Sequence, residues 1–238
     1  GGINISKALQ RLETASVALF PSGGHNGNML CSLLTEEKIS YHAVDTQVET
    51  RENWIVLETS TNNQFRFTFP GREVQEETIK TLVEQIRNFT PSYVIASGSL
   101  PPGLPDYFYG LIVKNAKAVG ARCIIDTSGP ALQALQGKGA YLIKPNIGEL
   151  CNMLNVEWLS KEEVPDAAQQ AIRDGFAELI AVSMGPDGAW LMSSDEKHFA
   201  AAPKVEKKST VGAGDSMVAG MTYMLQQNRS LKEVIAFG

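Results

Sequence analysis

The sequence predicts an α/β protein built as an open, three-layer α/β/α sandwich, and three observations lead there. Short, nearly continuous apolar runs alternate with longer amphipathic ones along most of the chain. Runs of that kind suit strands buried on both faces, as in a parallel sheet covered by helices. The chain has 238 residues, 43% hydrophobic and 20% charged, so it can bury a full-sized core and is not a disordered polypeptide. One stretch departs from the alternation and reads as a β-hairpin, adding a small all-β piece to the sandwich.

Taken in order, residues 15–20 (ASVALF) form the first strand candidate, and residues 26–38 follow with helical spacing at Met29, Leu30, Leu33 and Leu34. Residues 51–69 hold two alternating runs joined at Thr61, Asn62 and Asn63. The second run sets Phe65, Phe67 and Phe69 against Arg66 and Thr68, and so has one apolar face. Such a face must cover something: its own core, a substrate or another subunit. Further strands are expected at 93–97 (YVIAS), 121–126 (ARCIID), 141–143 and 179–184 (LIAVSM). Helices are expected at 76–88, 106–119, 147–154, 161–174 and 214–227, with a last helix-like run at 230–238.

Charge and cysteine usage narrow the function classes. The formal net charge of −5 offers no basic excess to neutralise a nucleic-acid backbone, so no nucleic-acid partner is expected. Cys31, Cys123 and Cys151 stand far apart, as do His25, His42 and His198, without CxxC or HExxH spacing. The cysteines read as reduced and mostly buried, in a cytoplasmic protein. No apolar run reaches bilayer length and no signal-peptide pattern opens the chain, so no membrane partner is expected.

The most informative segment is STVGAGDS at 209–216. Gly212, Ala213 and Gly214 stand where a loop becomes a helix, so free N–H groups and the positive helix end favour an anion. Asp215 falls beside that anion site. A carboxylate there repels a ground-state phosphate, and accepting a proton from an attacking hydroxyl is a chemical reason for its presence. The structural alternative is a carboxylate complementing the helix dipole. Lys144-Pro145-Asn146 closes a strand, and Glu149 shares a helix face with Asn146. An amide oxygen and a carboxylate can hold hydrated Mg²⁺ against phosphates, or can simply start a helix. Asp126 and Ser183 close two further strands, at the carboxyl-end crevice where α/β sheets bind ligands. Neither a P-loop GxxxxGK[ST] nor a strand-adjacent GxGxxG occurs, which argues against P-loop kinases and nicotinamide oxidoreductases.

Gly1-Gly2-Ile3-Asn4, Thr50-Arg51-Glu52-Asn53, SGSLPPG at 97–103, KPN at 144–146 with Glu149, SMGPDGA at 183–189 and STVGAGDS run in order through nearly the whole chain. Together they resemble the ribokinase-like sugar kinases, within these the phosphofructokinase B branch. The resemblance implies a single ribokinase-like kinase domain over 1–238, with 43–70 contributing a β-lid that also makes a homodimer contact. It implies ATP- and Mg²⁺-dependent phosphorylation of a phosphorylated ketohexose, D-fructose 6-phosphate to fructose 1,6-bisphosphate. Fructose 1-phosphate and tagatose 6-phosphate are the rival substrates, and a non-catalytic nucleotide- or sugar-binding homologue is the distant alternative.

By the same resemblance Asp215 is the base, and Gly212, Ala213 and Gly214 supply the anion hole. Gly2, Asn4 and Ser99 match sugar positions, and Arg51 matches the position that grips the sugar's phosphate. Lys144, Asn146, Ser183 and Gly185 match nucleotide positions, and Asp126 an acidic position near the phosphates. Glu149, with Asn146, organises magnesium through water. Carbonyls of Ser209 and Val211 match part of a monovalent-cation site suited to K⁺. The family's first strand would precede Gly1, and its closing segments would follow Gly238, so the chain is expected to be truncated at both ends.

Overall fold

The computed structural model describes residues 1–61, 63–203 and 212–238. They fall into two compact units, one comprising Gly1–Ser16, Gln85–Ser99 and Pro105–Gly238, the other Val17–Glu84 and Leu100–Leu104.

The first unit is the sandwich. Its sheet is built from β5 (Tyr93–Ser97), β6 (Arg122–Asp126), β7 (Ala140–Ile143), β8 (Ala177–Ser183), β9 (Ala189–Met192) and β10 (Lys197–Ala200), in the spatial order 10-9-8-7-6-5. Strands β5 to β8 are parallel, whereas β9 and β10 are antiparallel. The antiparallel pair was absent from the sequence reading. Its cause is local: the tight turn at Gly185–Asp187 after β8 is too short for a crossover and can only reverse the chain.

Side-chain alternation divides the core between two helical layers. On one face Ile124, Leu142, Leu179, Ala181 and Leu191 pack against α1 (Gly2–Arg11), α8 (Ala213–Gln226) and α9 (Leu231–Phe237). Those helices contribute Ile5, Leu9, Val218, Met221, Leu225, Val234 and Ile235. The alternate residues Ile125, Ile143, Ile180 and Met192 are fully buried on the other face, where α4 (Phe108–Ala118), α6 (Ile147–Leu154) and α7 (Val164–Arg173) lie. Each fully buried Leu or Ile contributes about 1.5–3 kcal/mol, so the layers are held chiefly by this burial. Strand β5, last in the ladder, is only half-buried along its length.

A short helix, α5 (Gly129–Gln133), follows β6, and neither it nor α1 stood in the sequence reading. The Ile5 and Leu9 spacing that buries α1 lies within the glycine-rich opening, where the motif dominates the local pattern.

The second unit carries β1 (Ala18–Ser22) and β2 (Tyr41–Asp45), a parallel pair joined through α2 (Gly24–Glu36). Strand β1 starts later than the apolar run suggests and includes Pro21. Proline is tolerated in a two-stranded ladder, where an unused N–H side is available. The hairpin is present as β3 (Asn53–Glu58) and β4 (Asn63–Thr68), with Trp54 opposite Phe67 and Val56 opposite Phe65. α3 (Glu76–Phe89) carries the chain from the second unit into the first. Among the described residues no helix is long and apolar enough to cross a membrane.

Candidate active site

At the carboxyl ends of the parallel strands of the first unit, a polar cleft of about 250 Å³ is lined by residues that end or follow β5, β6 and β7, by Gly1 and by one residue of α8. Ser97, Gly98 and Ser99 form one wall, Asp126, Thr127 and Ser128 another, Lys144, Asn146 and Glu149 a third, and Asp215 closes it. Six sequence-predicted site residues separated by up to 116 positions (Ser99, Asp126, Lys144, Asn146, Glu149, Asp215) therefore share one cavity.

Asp215 stands in the first turn of α8 with its side chain 15% exposed. The Asn4 amide Nδ2 donates to its Oδ2 at 2.8 Å. That bond satisfies one carboxylate oxygen and leaves lone pairs for another donor. The first hydrogen bond inside α8 is from the Ser216 amide to Gly212, so the amides of Ala213, Gly214 and Asp215 precede the intrahelical ladder. No side chain among the described residues caps them. An anion would meet both free donors and the helix dipole there.

Lys144 adds a fixed positive charge beneath this helix start. Its ammonium is buried, lies 3.1 Å from Asp126 Oδ1, and would stand 3.2 Å from any Cβ placed on Gly214. A side chain at 214 would crowd the lysine tip, which would have to give by a few tenths of an ångström. Two positive features, an ammonium and a helix N-terminus, would repel each other. Asp126 offsets part of that repulsion, and an incoming polyanion would offset the rest.

Asn146 and Glu149 form a complete capping box at the start of α6. Asn146 Oδ1 accepts from the Glu149 amide at 2.9 Å, and Glu149 Oε2 accepts from the Asn146 amide at 2.8 Å. The helix-start reading is thus realised, and one oxygen of each side chain is engaged in it. The Asn146 backbone is bridged to Ser183, whose amide donates to Pro145. Ser183 closes β8 and Gly185 follows it, and neither lines the cleft. Gly2 and Asn4 open α1, and Asn4 reaches the cleft through Asp215. Arg51 belongs to the second unit, where its side chain lies against Gly71. Ser209 and Val211 lie outside the described residues.

Sequence reasoning missed Thr127, which lines the cleft, and the direct bond between Asn4 and Asp215. The second spans 211 positions, and nothing local in either motif signals it. Among the described residues no group of three or more His, Cys, Asp or Glu side chains is placed to hold a metal ion.

The sequence and the fold have close counterparts. The family model "pfkB family carbohydrate kinase" matches residues 1–238. The ATP-dependent 6-phosphofructokinase isozyme 2 of Escherichia coli is 38% identical over all of this chain and 78% of its own length. The 1-phosphofructokinase of Bacillus subtilis is 32% identical, again over all of this chain and 77% of its own. Crystal structures of the Escherichia coli phosphofructokinase-2 with fructose-6-phosphate, with potassium and in a tetrameric inhibited form each superpose with a TM-score of 0.93 over 99% of this chain and 77–78% of theirs, at 37–38% identity. With a sandwich of the same shape and a family match from the first residue to the last, this chain belongs to the pfkB family of carbohydrate kinases.

Proposed function

We propose that the protein transfers the γ-phosphoryl group of ATP to the free primary hydroxyl of a phosphorylated ketohexose, D-fructose 6-phosphate first among them. The observation that carries this reading is the placement of Asp215, hydrogen-bonded by Asn4 and facing the same cleft as Lys144 and the exposed start of α8. A carboxylate beside a polyanion site is unfavourable for binding alone but suits proton removal.

In this mechanism the sugar hydroxyl oxygen forms a bond to the γ-phosphorus as the bond to ADP breaks, and the hydroxyl proton passes to Asp215. The amides at Gly212, Ala213 and Gly214 stabilise charge spreading over the phosphoryl oxygens. Lys144 adds to that field from below, while Asp126 keeps its ammonium in place. Ser99, Gly2 and Asn4 orient the sugar, and Arg51 suits its phosphate because a guanidinium offers paired donors. Ser183 and Gly185 belong to the nucleotide side.

The cleft fits magnesium as a hard-oxygen site: Asp126, Asn146 and Glu149 all line it, and Mg²⁺ keeps most of its waters. Glu149 and Asn146 would hold the ion through water, and it would supply charge neutralisation between the β- and γ-phosphates. Carbonyls of Ser209 and Val211 would belong to a K⁺ site. The chain is read as cytoplasmic, and its hairpin as a lid that also joins two subunits.

Parallel assays with fructose 6-phosphate, fructose 1-phosphate and tagatose 6-phosphate test the substrate. Fructose 6-phosphate is expected to give the highest kcat/KM. The 32% relative acting on fructose 1-phosphate keeps that sugar as the second reading, and a clear preference for it would displace the first. In Asp215→Asn, kcat is expected to drop by at least about a hundredfold with ATP binding retained. Unchanged turnover would remove Asp215 from the chemistry.

A further inference from the structure

Two buried hydroxyls that the mechanism does not use converge on one atom. Tyr109 Oη, from α4, donates to the Gly98 carbonyl at 2.6 Å, and Thr127 Oγ1, after β6, donates to the same oxygen at 2.9 Å. Tyr109 and Thr127 are 5% and 6% exposed. The Gly98 amide in turn donates to the Asp126 carbonyl at 2.9 Å. Both sides of this glycine are therefore pinned, one to the strand that ends in Asp126 and the other to two side chains.

The backbone at Gly98 shows what the pinning holds. Its φ is +115°, a region that L side chains rarely adopt, yet nothing lies within 4 Å of where a Cβ would stand. Glycine is there for conformation, not for room. A carbonyl has two lone pairs, and both are used. Because a peptide group is planar, fixing the Gly98 oxygen also fixes the direction of the Ser99 amide and the position of the Ser99 Cα. Gly98, Ser99 and Thr127 all line the cleft, whereas Tyr109 acts from behind its wall. Burial pushes the Tyr109 phenol up to about 12, so it remains a donor throughout the neutral range.

We infer that Tyr109 and Thr127 are positioning residues that lock the Gly98–Ser99 peptide in the orientation the sugar phosphate requires. The inference deepens the functional reading above and rests on its assignment of Ser99 to the sugar. Fold maintenance alone would affect both substrates equally. Positioning of this wall affects the sugar phosphate and spares ATP.

The test uses the full-length protein and four variants: Tyr109→Phe, Thr127→Val, the double variant and Thr127→Ser. KM for fructose 6-phosphate is expected to rise about three- to tenfold in each of the first two and further in the double variant, with KM for ATP changed less than about twofold. Thr127→Ser, which keeps the hydroxyl, is expected to restore the wild-type KM. Calorimetric binding of fructose 6-phosphate and of fructose 1-phosphate should weaken in parallel, and thermal melting identifies any variant that fails to fold. Equal rises in both KM values, or a lowered Tm with an unchanged sugar KM, would overturn the inference alone. A wild-type protein that binds ATP but neither sugar phosphate would overturn the functional reading and this inference with it.

Discussion

At the scale of single residues, the contact that decides most is the one from Asn4 to Asp215. A hydrogen bond to an ionised group contributes about 1.5–3 kcal/mol, enough to hold the carboxylate in one rotamer. Asn4→Ala is expected to lower kcat by roughly ten- to a hundredfold while the KM for ATP stays the same, as steady-state kinetics would show. Asn4→Asp asks a sharper question, because it places a second carboxylate against the first. Two like charges at that distance cannot both ionise readily, so one pKa of the pair rises. On acidification, a base with a raised pKa is protonated sooner, so the acid limb of the kcat profile should move to higher pH. An acid limb that stays where it is would mean that Asp215 does not sit against residue 4 during turnover. Neither motif alone could reveal this pair. That Gly212 and Gly214 stand where a loop becomes a helix was legible from the small residues before an apolar helical face, but which side chain would meet the acid depended on the fold bringing α1 to α8.

At the scale of elements, strand ends and helix starts were legible because both carry local signals. The runs at 93–97 and 121–126 became β5 and β6 almost residue for residue, and the helix expected at 147–154 has those bounds. What failed was what local signals do not carry. Strands β9 and β10 are only four residues each and are defined by the strands they pair with, β9 by β8 and β10 by β9. The start of α6 is the element where structure and chemistry overlap, since Glu149 both completes the capping box and is proposed to face magnesium. Glu149→Gln separates the two roles: glutamine can still accept from the Asn146 amide, because capping boxes use either residue, but it carries no charge. The Tm is expected to change by only a degree or two, while the Mg²⁺ concentration needed for half-maximal activity rises several-fold. A loss of stability with no change in magnesium dependence would assign Glu149 to the helix alone.

At the scale of the whole molecule, the hairpin of the second unit poses the largest question of packing. Register puts Trp54, Val56, Phe65 and Phe67 on one side of the two-stranded ribbon, and all four are about half exposed, Trp54 at 55% and Phe67 at 51%. Trp54 and Phe69 meet edge to face with ring centroids 5.2 Å apart, which consolidates the patch. A two-stranded ribbon is marginally stable alone, and an aromatic face of this extent in water is a cost that association removes. The proposed occupant is the same face of a second copy, since a self-complementary apolar surface closes as a twofold dimer. Aromatic anchors at such interfaces are each worth about 2 kcal/mol or more, roughly thirtyfold in Kd. Trp54→Ser with Phe67→Ser should therefore shift the species seen by sedimentation from dimer to monomer at micromolar concentration. The sandwich should keep its Tm, because none of its core residues belongs to the hairpin. If the variant sediments as the wild type does, this face does not join two copies, and covering substrate becomes its reading.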